Sequence, residues 1–342
     1  MNNETQVPPA LRVRELTLVM RASRALYAAA SLGIADILAG GPLSSGEVAA
    51  RSGTGVSTMR RLLRALVAHG VFVEESPDLF GLNACAELLR RDVPESLQAL
   101  VLLSSGDTHW QLWLDFLESV RTGQAASERA FGKDLFQHYA EEPMQAAVFN
   151  RAMTSLSSAL SAPVVAAYDF SPFACIADVG GGNGRFLADV LIANPAVRGV
   201  LFDLPHVVAG NVLMSQPKVA ERCAVVAGDF FAAVPAGASA YLLKQVIHDW
   251  DDARALAILK TCRKAMTATA RLLIIERVMP ARAQEGRAAE AYLLDLEMLV
   301  ITSGGRERTE AEFNALLATA GLRVNRIVPT SSPVSVIEAQ PA

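Results

Sequence analysis

The sequence predicts an α/β protein in which a mainly helical N-terminal region precedes a mostly parallel sheet with a terminal antiparallel hairpin. From about residue 173 onward, short β-rich runs alternate with helix-like segments, a pattern typical of a parallel sheet with right-handed crossovers. After residue 290, two helix-like segments precede two β-rich runs that we expect to pair as a hairpin. Residues 11–160 carry apolar side chains at helical spacing.

The composition is that of a folded globular protein. Of 342 residues, 51% are hydrophobic and 19% are charged, which excludes an intrinsically disordered chain. The formal net charge of −4 gives no electrostatic reason to expect nucleic acid or an anionic membrane as a partner. The four cysteines form no CxxC pair, which argues against a zinc knuckle or a disulfide framework.

The chain carries no pattern that predicts export or membrane insertion. Its N-terminus lacks a basic segment followed by an apolar run, so we expect no signal peptide. The most apolar stretch, residues 25–41, is interrupted by Asp36 and is too short to cross a bilayer comfortably. We therefore expect a cytoplasmic protein, since its cysteine usage also fits a reducing compartment.

The N-terminal region follows a winged-helix pattern. Ser45 is a candidate helix start, SGTGVS reads as a turn, and a second helix ends at Gly70. Residues 71–75 (VFVEE) and 79–83 (LFGLN) then predict a short hairpin across SPD.

A winged helix raises the alternative of a DNA-binding regulator. Arg60, Arg61 and Arg64 lie on the second helix, the element that would enter the major groove. These arginines alternate with apolar residues, and the whole chain is acidic. We therefore favour a structural or subunit-contact role and expect no nucleic-acid partner.

The segment ADVGGGNGRFLADVL predicts a strand, a glycine-rich turn and a helix that starts near Arg185. Glycines at this point let the backbone approach a ligand and turn the helix N-terminus toward an anionic group. Gly180, Gly182 and Gly184 give the spacing GxGxG, which departs from the GxGxxG of dinucleotide sites. A nucleotide-like cofactor is the expectation.

Two acids lie at the ends of the next two predicted strands. Asp203 ends VLFDL, where a carboxylate could accept both hydroxyls of a ribose, and Asp229 ends VVAGDF. Asp229 could accept from an adenine amino group, with Phe230 beside the ring. Each acid alone could equally be a strand-end cap, but three such features at one sheet edge favour a ligand site.

An ordered set of motifs resembles the S-adenosylmethionine-dependent O-methyltransferases of the plant caffeate and flavonoid type, whose bacterial relatives act on aromatic polyketides, phenazines and similar metabolites. The resemblance covers nearly the whole chain and rests on residues 178–184 (DVGGGNG), Asp203 in LFDLP, 228–230 (GDF), 244–250 (KQVIHDW), 275–276 (IE) and 304–313 (GGRERTEAEF).

The resemblance implies a Rossmann-like methyltransferase domain and a homodimer formed through a winged-helix dimerisation domain. With the change of pattern along the chain, it places the dimerisation domain at 1–97, a helical linker and substrate-pocket region at 98–165, and the catalytic domain at 166–342. It also implies S-adenosylmethionine as the cofactor, held by Gly180, Gly182, Asp203, Asp229, Phe230, Lys244 and Trp250.

Methyl transfer to a phenol needs alignment and a base, because a phenol with a pKa of about 10 is a poor nucleophile at neutral pH. His248 follows the fourth predicted strand, at the same edge as the cofactor signals, and Glu276 ends the next strand. The resemblance implies that His248 is the base and that Glu276 and Glu307 flank it, orient its ring and stabilise its protonated form. His248 alone could also be the polar end of a strand.

A metal cluster built from His248, Asp249, Asp251 and Asp252 is the remaining alternative for this stretch. Asp251 and Asp252 precede a predicted helix, where capping and the helix dipole explain acidic residues. Adjacent residues also point in different directions, so we expect no metal. The role of Asp249 stays open between capping and support of His248.

The acceptor is the least defined part of the prediction. Plant members often carry Asn four residues after the Met of the DLxML stretch, where this chain has Thr302, so their substrate contacts do not transfer. We expect a small, flat aromatic metabolite in a pocket lined by Phe149, Met153, Met298 and Thr302. Methylation of a ring nitrogen, or decarboxylation or hydroxylation with the cofactor bound, are alternatives.

Overall fold

A computed structural model describes residues 8–133, 135–213, 215–283 and 289–342. The chain forms two compact units, Met1–Gln111 with Met144–Ser155 and Leu112–Pro143 with Leu156–Ala342. Within the described ranges, no helix is both long and apolar enough to span a membrane. We expect no signal peptide at the N-terminus, and its first residues, 1–7, lie outside the described part.

The first unit is a small helical domain with a three-stranded sheet. Its elements are α1 (Pro9–Ser31), α2 (Ile34–Leu38), β1 (Leu43–Ser44), α3 (Ser45–Ser52), α4 (Val56–Ala68), β2 (Val73–Ser76), β3 (Leu79–Gly81), α5 (Ala84–Glu87) and α6 (Gln98–Ser104). The sheet order is β1-β3-β2, and both pairings are antiparallel. The predicted winged-helix pattern is therefore confirmed.

Local sequence explains how this unit forms. Ser44 accepts a hydrogen bond from the amide of Glu47, whose carboxylate accepts from the amide of Ser44, a capping box that fixes the start of α3. Helix α4 is amphipathic and buries Met59, Leu63 and Leu66 in the core of the unit.

Two arginines of α4 are paired with acids of the neighbouring hairpin. Arg60 Nη2 lies 2.8 Å from Asp78 Oδ2, and Arg64 Nη2 lies 2.9 Å from Glu74 Oε1. Both guanidinium groups therefore bind carboxylates of the same domain, which reduces what they can offer a phosphate backbone.

Five helices follow in the described part of residues 107–167: α7 (Asp107–Leu114), α8 (Phe116–Thr122), α9 (Ala126–Phe131), α10 (Leu135–Glu141) and α11 (Pro143–Ala167). Within the second unit, Trp113 Nε1 donates to Glu297 Oε2 at 2.6 Å and Ser127 Oγ donates to Ile301 O at 2.9 Å.

The second unit is built on a seven-stranded sheet. Its further elements are β4 (Cys175–Val179), α12 (Arg185–Ala193), β5 (Arg198–Asp203), α13 (Pro205–Val208), α14 (Pro217–Ala220), β6 (Cys223–Ala227), β7 (Ala240–Lys244), a 3₁₀ turn (Ile247–Asp249), α15 (Asp252–Ala265), β8 (Arg271–Glu276), β9 (Val278–Met279), α16 (Ala289–Ile301), β10 (Arg308–Thr309), α17 (Glu310–Thr319), β11 (Leu322–Pro329) and β12 (Ser335–Pro341).

The strand order β11-β12-β8-β7-β4-β5-β6 confirms the predicted sheet. Strands β4 to β8 pair in parallel, while β12 runs antiparallel to both β8 and β11. Apolar clusters cover both faces of the sheet, which is why its central strands are continuous apolar runs. The chain order reverses direction between β4 and β7, and ligands of open α/β sheets bind beside such a point.

One predicted strand end differs. Strand β6 stops at Ala227, so Asp229 lies in the turn that follows and not at the strand end. Its carboxylate accepts from the amide of Phe231 at 2.8 Å, a local turn that ends the extended conformation.

Candidate functional site

Five parallel strands bring the predicted site residues to one edge of the sheet. Strand β4 ends at the glycine-rich turn, β5 ends at Asp203, and β6 is followed by Asp229. Strand β7 leads into the 3₁₀ turn with His248, and β8 ends at Glu276. The carboxyl edge of such a sheet is the usual place for a ligand.

The turn after β4 requires glycine for two different reasons. Gly182 has φ of 62°, a left-handed conformation that side chains disfavour. At Gly181, an added Cβ would lie 2.6 Å from Asp178 Oδ2 and 2.6 Å from Leu201 Cδ1, so any side chain there would force Asp178 and Leu201 to shift. Helix α12 begins directly after this turn, at Arg185.

Asp203 ties the end of β5 to this turn. Its Oδ2 accepts from the amide of Gly182 at 2.8 Å, and its Oδ1 accepts from the amide of Leu204 at 2.7 Å. Burial raises the pKa of Asp203, while these two amides oppose the shift. The carboxylate is thus held in a fixed position next to the glycine turn, where we predict the ribose of the cofactor.

Aromatic rings gather beside the glycine turn. Phe230 lies against Gly180, since a Cβ at Gly180 would be 3.4 Å from Phe230 Cε1. Trp250 meets Phe230 edge-on at a centroid distance of 6.2 Å and Phe231 at 4.9 Å. Phe231 was not among the predicted site residues, although this residue directly follows the GDF motif. Such rings can accept a flat base.

A half-buried lysine and a buried aspartate lie near the same turn. Lys244 Nζ donates to Ser157 Oγ at 2.9 Å. Burial lowers the pKa of Lys244 to about 8, against the opposing charges of Asp178 and Glu276. Asp178 is 1% exposed, and neither of its oxygens has a hydrogen-bond partner among the described residues. Burial raises the pKa of Asp178 to about 7.

Asp178 was not among the predicted site residues. It is an acid inside an otherwise apolar strand, separated from the glycine run only by Val179. A carboxylate with no partner in the protein is costly to bury unless a ligand completes its hydrogen bonds.

His248 is held between two buried glutamates. Its Nδ1 lies 2.9 Å from Glu307 Oε1 and 3.7 Å from Glu276 Oε2. Glu276 Oε1 also accepts from the amides of Val246 and Ile247, both at 3.0 Å. Glu276 therefore holds the turn by its backbone, whereas Glu307 holds the imidazole ring.

The charges around His248 favour its protonated form. Burial by itself would lower the pKa of His248, but Glu276, Asp249 and Glu307 together raise it to about 10. Burial raises the pKa of Glu276 to about 7, although the nearby His248 opposes this. With Nδ1 bound to Glu307, the second ring nitrogen, Nε2, is the one left for a ligand. It lies 3.5 Å from Asp249 Oδ1, beyond ordinary hydrogen-bond length.

The candidate metal ligands in the structure differ from those that the sequence suggested. Asp251 caps α15 by accepting from the amide of Arg254 at 2.7 Å, and Asp252 pairs with Arg308 at 2.9 Å, so the predicted start of a helix at these acids is confirmed. His248, Glu276 and Glu307 instead offer ligand atoms within 4.8 Å of one another. A cation there would compete with Glu307 for Nδ1 of His248.

The predicted pocket residues fall in two places. Met298 and Thr302 are buried in the second unit, and Thr302 Oγ1 donates to Met298 O at 2.7 Å and accepts from the amide of Gly305 at 2.8 Å. Phe149 and Met153 lie on α11, in the part that belongs to the first unit. Their roles stay predictions.

Two family models match the chain. Residues 113–323 match an O-methyltransferase domain, and residues 14–92 match an O-methyltransferase dimerisation domain. The second match implies a homodimer.

Similar proteins extend over nearly the full length. The phenazine O-methyltransferase PhzM of Lysobacter antibioticus is 41% identical over 93% of this chain and 92% of its own. The crystal structure of LaPhzM superimposes with a TM-score of 0.91 at 39% identity, covering 98% and 100% of the two chains. The O-methyltransferase NcsB1 from neocarzinostatin biosynthesis was solved with S-adenosylmethionine and 2-hydroxy-5-methyl naphthoic acid. It has a TM-score of 0.79 at 32% identity, covering 94% and 96%.

Proposed function

Because this chain belongs to the family of S-adenosylmethionine-dependent O-methyltransferases, we propose that it methylates a hydroxyl of a flat aromatic secondary metabolite with His248 as the general base. The observation that carries the proposal is the buried contact of 2.9 Å between His248 Nδ1 and Glu307 Oε1, with Glu276 beside it. An imidazole fixed through Nδ1 presents Nε2 to an acceptor hydroxyl.

The residues at the sheet edge fit the cofactor. S-adenosylmethionine supplies a methyl group on a positively charged sulfonium, which is a good leaving group. The buried carboxylate of Asp178, which no described residue hydrogen-bonds, suits a ligand that carries positive charge. We expect Gly180 and Gly182 to meet the methionine part and Asp203 the ribose, and Asp229, Phe230 and Trp250 to meet the adenine, with Lys244 close by.

The chain's main tasks are alignment and proton removal. An in-line displacement needs the acceptor oxygen held opposite the leaving group, and orientation of this kind accelerates reactions strongly. His248 Nε2 would accept the hydroxyl proton, and the carboxylates of Glu307 and Glu276 would stabilise the imidazolium that results. The proton therefore ends on Nε2 while the methyl group ends on oxygen.

The raised pKa of His248 has a consequence for the resting protein. Although burial opposes it, the surrounding carboxylates bring this pKa to about 10. His248 is therefore an imidazolium, with a proton on each ring nitrogen, near neutral pH. The reactive complex holds one proton fewer, either as neutral imidazole with the hydroxyl or as imidazolium with the acceptor's anion. In both descriptions kcat/KM rises with pH.

The acceptor and the assembly are further parts of the proposal. Aromatic acceptors are proposed because the similar proteins carry phenazine or a naphthoic acid in their names or complexes. Helix α1 exposes large apolar side chains, including Leu16 at 60% and Val19 at 61%, within the region that matches the dimerisation domain. An exposed apolar helix face of this kind suits a contact between two copies.

The test is turnover on a panel of phenols and ring nitrogens with labelled S-adenosylmethionine. His248→Ala should lower kcat by about 10²–10⁴-fold, the usual worth of a general base, while calorimetry shows the cofactor affinity unchanged. His69→Ala, at the exposed end of α4, is the matched control and should keep full turnover.

Three results would contradict the proposal. Unchanged turnover in His248→Ala would remove the base, and transfer to ring nitrogen with none to any phenol would remove the hydroxyl acceptor. Loss of turnover on adding a chelator, restored by a divalent cation, would favour a metal held by His248, Glu276 and Glu307.

A further inference from the structure

The segment Arg306–Arg308 holds the turn that carries His248 at three consecutive positions. The amide of Arg306 donates to His248 O at 2.8 Å, and the Glu307 side chain meets the imidazole. The Arg308 guanidinium donates through Nη1 to Ile247 O at 2.9 Å and through Nη2 to Trp250 O at 2.8 Å. The two carbonyls that Arg308 binds flank His248 and Asp249 on either side.

Arg308 is buried to an unusual degree for a cation. It is 1% exposed, and its one carboxylate partner is Asp252, with Nη2 to Oδ1 at 2.9 Å and a side chain that is 58% exposed. Burying a guanidinium is costly, and here Arg308 is compensated both by Asp252, which accepts from Nε and Nη2, and by the carbonyls of Ile247 and Trp250. Those carbonyls belong to the turn that presents His248.

The surroundings of Arg308 fix its register. Strand β10 pairs in parallel with β9, so that Arg308 lies opposite Val278, two residues beyond Glu276. In an extended segment successive side chains point to opposite sides, which sends Glu307 to the imidazole and Arg308 to the backbone of the turn. Gly305 completes the fit, because an added Cβ would lie 2.5 Å from His248 O.

We infer that Arg308 is a positioning residue for methyl transfer: its planar fork spans the carbonyls of Ile247 and Trp250 and thereby sets where Nε2 of His248 stands relative to the acceptor. The inference rests on the proposed role of His248 as base. We expect Arg308 itself to touch neither substrate nor cofactor. A lysine would keep the charge but could not span both carbonyls, since it has no planar fork.

The test compares Arg308→Lys with Arg222→Lys. Arg222 is a matched control, since its guanidinium also binds backbone carbonyls, such as Leu191 O at 2.8 Å, at the start of β6 and away from His248. Arg308→Lys should lower kcat by about 10–100-fold, as expected for a base displaced from its alignment, with the cofactor Kd unchanged. Arg222→Lys should keep kcat, whatever it does to the melting temperature.

Gly305→Ala perturbs the same turn from its other side and serves as the second variant if Arg308→Lys folds poorly. It should give the same fall in kcat at constant cofactor Kd. In a His248→Ala background, Arg308→Lys should not lower the residual kcat further, because it acts through His248.

Each other outcome overturns the inference. Full kcat in both Arg308→Lys and Gly305→Ala would show that the turn needs no such hold. An equal fold-loss with and without His248 would show that Arg308 acts independently of it. Failure of the proposed function would look different, because the single variant His248→Ala would then keep full turnover.

Discussion

The two halves of the sheet edge are built by different means. On the cofactor side, the chain uses backbone shape: glycines between β4 and α12 and main-chain amides that meet Asp203. On the His248 side, it uses side chains from three distant segments, with Glu276 and Glu307 lying 28 and 59 residues from His248. Changes on the first side should act on cofactor binding, and changes on the second on the chemical step.

After His248→Ala itself, the largest expected effect is that of Glu307→Gln. It removes the charge that meets Nδ1 of His248, so kcat should fall by roughly 100-fold, within the range for a disturbed acid–base pair. Wild-type kcat/KM should rise with pH toward about 10. Glu307 stabilises the imidazolium together with Glu276 and Asp249, against burial. Its loss should therefore move that rise to lower pH.

The pH–rate profile with a fixed acceptor and saturating cofactor measures this effect. Because the groups titrate together, the apparent pKa belongs to the whole cluster. A profile in Glu307→Gln that keeps the wild-type shape would show that the cluster does not set the protonation of His248. Cofactor Kd should be unchanged, which keeps the two sides of the edge distinct.

Gly181→Ala tests the other side. The new Cβ would stand 2.6 Å from Asp178 Oδ2 and Leu201 Cδ1, and crowding of this kind costs about 1–3 kcal/mol. We expect the Kd for S-adenosylmethionine to rise by roughly 10-fold or more, while kcat at saturation changes little. Gly53→Ala, a positive-φ glycine with no atoms near its Cβ, is the control for a folding effect alone. A fall in kcat at constant Kd would break the division between the two sides.

The smallest effect is expected for Phe231→Ala. Phe231 meets Trp250 at a centroid distance of 4.9 Å and an angle of 87°, and such edge-to-face pairs contribute about 0.5–1.5 kcal/mol. The cofactor Kd should rise by roughly 2–10-fold, as measured by calorimetry with the cofactor product. Phe231→Leu should recover part of the affinity, and an unchanged Kd in Phe231→Ala would show that the ring has no part in the site.

The sequence sufficed for features that depend on local backbone requirements. The glycine turn, the helix start at Asp251 and the final hairpin each follow from residues close in the chain, and the structure has them where expected. His248 and Glu276 could be placed at one edge because parallel strands end together.

Contacts through space were beyond such reasoning. Nothing local indicates that Arg308 reaches Ile247 O, 61 residues away. That Asp178 has no hydrogen-bond partner in the described part of the chain is likewise visible only once the fold surrounds it. The same holds for a metal: the ligand atoms that lie within 4.8 Å of one another belong to His248, Glu276 and Glu307, which are far apart in the sequence.

The two glutamates also differ in what they would reveal about a related sequence. Glu276 accepts from the amides of Val246, Ile247 and His248, contacts that would survive any side chain at position 248. A relative that has abandoned proton abstraction would therefore still keep this acid, merely to fold. Among the described residues, the side chain of Glu307 hydrogen-bonds only to the imidazole of His248, and its Oε2 has no partner. Its presence or loss is thus the more informative marker for sorting base-using relatives from those that share only the architecture.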